Sequence, residues 1–303
     1  MLAHHLYQHS GLWDQTMIGI CFQAAGYLSV ACFFFLSGYG LYASYQEKGI
    51  AYIKSFFKRT IVPFYCIILL FTVIYFFEEI LIGQTLTIDV LLKSLTFGGT
   101  VIKNGWYLQV QLLLYLFFFI TFLTVKDGKQ CIILIISECF LFCFFMYVLR
   151  YSSTWYESIF SFATGMICRE LDLHYMKSPS NKTVFFVCAL EFILVCFTFV
   201  GSYLIDNNIA TLILKMASAV FFVALIATAI NLIRVENRIT RWLGEFSMEI
   251  YIVQGIFLTL FHSQLINITN QYIYILVVTG TTMGVAVLFH PVTRKIYSIA
   301  RDH

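Results

Sequence analysis

Residues 60–82 read TIVPFYCIILLFTVIYFFEEILI, with no charge between Pro63 and Phe77. A helix rises about 1.5 Å per residue, so a stretch of this length crosses the roughly 30 Å hydrocarbon layer of a bilayer. Lipid offers the backbone no hydrogen-bond partner, so the stretch must be helical. Working outward and cutting wherever charges, Asn, Gly or Pro cluster gives nine such spans. They fall near 18–45, 60–82, 106–125, 131–149, 154–169, 183–204, 209–232, 242–262 and 270–290. The whole chain agrees, since of 303 residues 60% are hydrophobic, 18% aromatic and only 12% charged. Too few charges exist to cover a water-soluble globule of this size. The composition excludes a soluble enzyme and a disordered chain, and a net charge of +3 without a basic stripe excludes a nucleic-acid binder. The expected fold is all-α, a polytopic integral membrane helical bundle forming one domain over 1–303. It has nine complete spans, a partial first helix at 1–9 and a tail at 291–303.

Lysine and arginine collect in cytoplasmic loops. One alternating set of loops holds Lys48, Lys54, Lys58, Arg59, Lys126, Lys129, Arg169, Lys177, Lys182, Arg234, Arg238, Arg241, Arg294, Lys295 and Arg301. The other holds only Lys93, Lys103, Arg150 and Lys215. The first set is therefore expected inside, with a cytoplasmic C-terminus and the segment around Ser10 to Met17 outside, in a multi-pass protein of the plasma membrane. The residues before Ser10 are too few to cross the bilayer, which makes them a half-inserted helix or the outer half of a longer span.

Polar groups inside lipid are costly and mark candidate sites. They are His4, His5, Ser37 with Gly38, Glu78, Glu79, Glu138, Glu191 and the stretch from Glu245 to Gln254. Each has a plain reading as a packing or interface residue, small residues such as Ser37, Gly38 and Gly40 letting helices approach. A neutral imidazole suits an intramembrane general base, and it can be His4 or His5, because adjacent helical residues point about 100° apart. His262 and His290 sit at span ends, as interfacial anchors would. The segment GIAYIKSFFKRTIVPFY at 49–65 reads as an inner loop whose Lys54, Lys58 and Arg59 either obey the positive-inside rule or grip phosphates. In NGWYLQVQLLLYLF, Asn104-Gly105 turns a loop into a span that opens with Trp106 and Tyr107 at headgroup depth. Glu245 and Glu249 share a helix face, Glu245 within reach of Arg241. The nine cysteines lie mostly in apolar runs without ligand spacing, so neither a disulfide framework nor a metal is expected.

Taken together, four segments resemble the membrane acyltransferase 3 family: FFFLSGYGL at 33–41, FKRTIVPFY at 57–65, GWYLQVQLLLY at 105–115 and LGEFSMEIYIVQ at 243–254. The last is similar to a helix that commonly ends in His, where this chain has Gln254. The family's first helix carries an arginine eleven positions before its histidine; His5 fits the histidine's place, and the arginine's place falls before Met1. The resemblance implies acyl transfer, often of acetyl, from acyl-CoA to a hydroxyl of a carbohydrate or lipid-linked surface molecule. It implies His5 or His4 as the base, Arg59, Lys58 and Lys54 at the coenzyme A phosphates, and Ser37, Trp106, Tyr107, Glu249 and Tyr251 around the pocket. The alternatives are a transporter or flippase for a lipid-linked sugar, for which paired Gly/Pro helix breaks are missing, and an inactive membrane partner.

Overall fold

The computed structural model describes residues 1–12, 16–175, 181–230, 232 and 236–302. Lys177, Arg234 and the side chain of Arg301 lie outside the described residues. The described residues are 82% helix, with no strand among them. The helices are α1 (Leu2–Ser10), α2 (Met17–Lys48), α3 (Ile50–Phe56), α4 (Val62–Leu81), α5 (Ile88–Leu95), α6 (Trp106–Thr124) and α7 (Gly128–Val148). They continue with α8 (Phe160–Tyr175), α9 (Asn181–Leu204), α10 (Asn208–Ala229), α11 (Arg238–Glu245), α12 (Ser247–Leu260) and α13 (Gln271–Asp302).

Among the described residues, seven helices are long and apolar enough to cross a membrane, or eight if α11 and α12, bent by 68°, count as one broken span. This differs from the nine expected for two physical reasons. The segment expected at 154–169 begins with irregular backbone, and its helix α8 has only 16 residues. The segment expected at 242–262 breaks at Phe246. Its first part, α11, has no buried residue and alternates Arg238 and Arg241 with Ile239 and Trp242, the pattern of a helix lying in a membrane interface.

Two boundaries moved. The expected inner loop at 49–65 is helical from Ile50, and the chain turns at Gly49, whose φ of 60° suits glycine. α3 runs into α4 through a π-helical turn, Phe57–Ile61, and Lys58 and Arg59 sit exposed on it. The expected tail after residue 290 continues as helix, with Pro291 inside α13. Proline removes one backbone donor there without ending the helix.

By internal contacts the chain divides into two compact units. The first comprises Met1–Gly26, Phe56–Leu113 and Glu236–His303, and its core joins Leu6 to Leu258, Phe261, Tyr274 and Val278. α1 packs on α12 and α13, and α13 also packs on α4 and on the π turn.

The second unit comprises Tyr27–Ser55 and Leu114–Val235. Its core gathers Ala31, Phe35, Ala219 and Val223, while α9 turns Phe185, Phe186, Phe192 and Phe197 outward, as a helix facing lipid does. Two glycines set the approach of α2 to α8. A Cβ on Gly38 would fall 2.0 Å from the Phe162 carbonyl oxygen, and one on Gly165 would fall 2.1 Å from that of Phe35. The packing reading of Gly38 therefore holds, whereas Gly40 has nothing within 4 Å. Glu138 and Glu191 each accept a hydrogen bond from a threonine of another helix, Thr121 at 2.9 Å and Thr228 at 3.2 Å. Ser37 hydrogen-bonds Tyr115. Sequence reading missed Glu157, which lies buried 3.6 Å from the ammonium of Lys215.

Candidate active site

The first unit builds its polar centre from α1, α6, α12 and the loop before α6. That loop is stapled by one side chain. Gln109 Nε2 donates to the carbonyls of Lys93 (2.8 Å) and Gly99 (2.7 Å), while its Oε1 accepts from the Gly98 amide (3.1 Å). The loop ends at Asn104, which takes a left-handed backbone with φ 58°. Asparagine tolerates that region better than most residues.

His5 is only 5% exposed. Its Nδ1 lies 3.1 Å from Gln8 Oε1 and 3.4 Å from Asn104 Nδ2, while its buried Nε2 has no hydrogen-bond partner among the described residues. His4 is held differently. Its Nδ1 meets the Phe22 carbonyl oxygen at 2.7 Å, and its ring fills the space beside Gly26, where a Cβ would fall 2.6 Å from Nε2. Sequence left the two histidines equivalent, and the structure separates them: one is anchored to α2, and the other keeps a bare ring nitrogen.

Asn104 links His5 to two aromatic residues. The Tyr251 hydroxyl donates to the Asn104 carbonyl at 2.5 Å, and the Tyr251 ring meets Tyr107 edge-on at 5.0 Å. Tyr107 in turn donates to Gln111 Oε1 at 3.3 Å. Gln254, 1% exposed, keeps its Oε1 without a partner among the described residues. Next to it, Gly255 leaves room for the Tyr75 hydroxyl, which would lie 2.3 Å from a Cβ there. Trp106 opens α6 beside this centre. Of the expected site residues, Ser37 and Lys54 belong to the second unit.

Glu249 lies on the other side of α12 from Tyr251. It is 2% exposed, and Oε1 accepts from Thr293 and lies 3.1 Å from His290 Nδ1. His290 is thus a partner of Glu249 and no mere interfacial anchor. Glu245 meets His290 and Arg294, while Arg241, its expected partner, pairs with Glu236 at 2.5 Å. Glu249 therefore clamps α12 to α13. Replacing it with alanine removes the shared acceptor of the buried Thr293 and the half-buried His290 and is expected to cost about 2 kcal/mol. Thermal unfolding in detergent of Glu249→Ala, His290→Ala and the double variant checks this, with the double variant losing less than the sum.

A family model described as an acyltransferase domain matches residues 2–290, so the match runs from α1 into α13. The chain belongs to the membrane acyltransferase 3 family. No curated protein and no solved structure matches it. The centre holds a buried ring nitrogen without a hydrogen-bond partner among the described residues, two amides at the other ring nitrogen, and the packed rings of Tyr107 and Tyr251.

Proposed function

We propose that this membrane acyltransferase moves an acyl group, acetyl in the simplest case, from acyl-CoA to a hydroxyl of a carbohydrate or lipid-linked surface molecule. The observation that carries the reading is the buried Nε2 of His5, without a hydrogen-bond partner among the described residues. Nε2 takes the acceptor's hydroxyl proton as the oxygen attacks the thioester carbonyl carbon. The tetrahedral intermediate then expels the thiolate, the C–S bond breaks, and the imidazolium returns the proton to sulfur. The products are an ester and free coenzyme A, so atoms and charge balance.

The donor reaches the site from the cytoplasmic side, where fifteen of the nineteen basic residues and the C-terminus lie in this reading. Lys58 and Arg59, exposed on the π turn, grip its phosphates. π turns recur at functional sites because the extra residue re-aims side chains. The membrane is the plasma membrane, which brings the outward-facing acceptor within reach.

The test is transfer of label from radiolabelled acetyl-CoA into surface glycan by membranes carrying the protein. Alkali-labile label is the expected result, and its absence with every hydroxylated acceptor offered overturns the reading. Arg59→Gln is expected to raise KM for acyl-CoA about tenfold with the loss falling on KM and not on kcat, as removal of a ground-state contact does. Initial-rate kinetics over a range of donor concentrations measure it.

A further inference from the structure

We infer that Asn104 is a positioning residue for His5, one whose side-chain amide sets which ring nitrogen carries the proton. The inference rests on His5 as the base and adds the group that keeps it in the working tautomer. A neutral imidazole carries one N–H. If it sits on Nδ1, Nε2 keeps its lone pair and can take a proton from the acceptor. If it sits on Nε2, the ring is a donor and the reaction cannot start.

Two amides face Nδ1: Gln8 Oε1 at 3.1 Å and Asn104 Nδ2 at 3.4 Å. They differ in firmness. Gln8 is an exposed residue of α1. Asn104 is fixed by its backbone on three sides. Its carbonyl receives the Tyr251 hydroxyl. Its neighbour Lys103 pairs with the buried Glu79 at 2.7 Å. Its other neighbour, Gly105, is so closely packed that a Cβ would fall 2.6 Å from Thr100 Oγ1.

An asparagine amide presents oxygen or nitrogen to the same point by turning half a revolution about its last bond. With Oδ1 toward Nδ1, Asn104 and Gln8 both accept the same N–H, and Nε2 is the base. With Nδ2 toward Nδ1, the proton belongs on Nε2 and the ring is no base, so Oδ1 faces Nδ1 throughout the transfer, in the neutral ring and in the imidazolium alike.

The experiment uses three full-length variants in lipid nanodiscs, with ¹⁵N-labelled histidine read by NMR and acetyl transfer read by kinetics. Asn104→Gly keeps the left-handed backbone and removes the amide. Asn104→Asp keeps the reach and offers only acceptors. His5→Ala identifies the His5 signals. Asn104→Gly is expected to lower kcat at least about tenfold at unchanged KM, short of the about 10⁴-fold that a wholly wrong tautomer costs, and to mix the two tautomers in the His5 spectrum. Asn104→Asp is expected to hold the proton on Nδ1 and to recover most of the lost kcat. Wild-type kcat and an unchanged His5 spectrum in Asn104→Gly overturn the inference while leaving the base intact. Wild-type activity in His5→Ala overturns the base itself. Should Asn104→Gly fail to fold, the His5 spectrum of Asn104→Asp decides: a proton found on Nε2 in that variant defeats the inference.

Discussion

Membranes carrying His5→Ala are expected to transfer acetyl groups about 10²- to 10⁴-fold more slowly than wild type, the usual worth of a general base. The whole loss falls on kcat, because the ring acts on a proton in flight and binds neither the phosphates nor the bulk of the acceptor. His4→Ala is the decisive comparison. Its ring is tied to the Phe22 carbonyl and packed beside Gly26, so its removal is expected to cost about 1–3 kcal/mol of stability. Activity per folded molecule stays far above that of His5→Ala. The two variants differ by one position on one helix, so the contrast separates the roles that sequence left tied. If His4→Ala abolishes turnover in well-folded protein and His5→Ala does not, the assignment is reversed.

The second large effect is on folding. Gly165→Val places a branched side chain where the Phe35 carbonyl oxygen and the Tyr39 amide already stand, at 2.1 and 2.8 Å from a Cβ. Those are backbone atoms of α2, and no rotamer change relieves the overlap, so α2 and α8 must separate. The expected cost is about 3 kcal/mol or more, at the upper end for overpacking. Gly38→Val does the same from the other helix, against Phe162. Both variants are expected to lose the monodisperse peak in detergent chromatography. Gly40→Val, with nothing within 4 Å, is expected to keep it. Equal behaviour of all three would show that the close approach contributes nothing to the fold.

The spans were legible because lipid imposes one rule on every residue alike: backbone groups must be satisfied within the segment and side chains must be apolar. That rule acts locally, so runs such as 60–82 declare themselves. The rule reads neither continuity nor breaks well. Charges at Lys54, Lys58 and Arg59 suggested a loop where the helix runs on through a π turn, because interfacial charges interrupt hydropathy without interrupting backbone hydrogen bonds. At Phe246 the reverse occurred, an apolar run concealing a 68° bend. Glu245, Glu249 and His290 were each visible as polar residues, yet which pairs with which depends on the angular setting of α12 against α13.

Sequence alone fixed an all-helical membrane chain, the family's four segments and a short roster of polar residues, since each follows from composition and order along the chain. Tertiary structure alone gave His4 and His5 different surroundings, brought Asn104 to the His5 ring from about a hundred residues away, and paired Glu249 with His290. The reason is geometric: a ring nitrogen's chemistry is set by the atoms within about 3 Å of it, and no local pattern in the chain encodes a neighbour that only folding delivers.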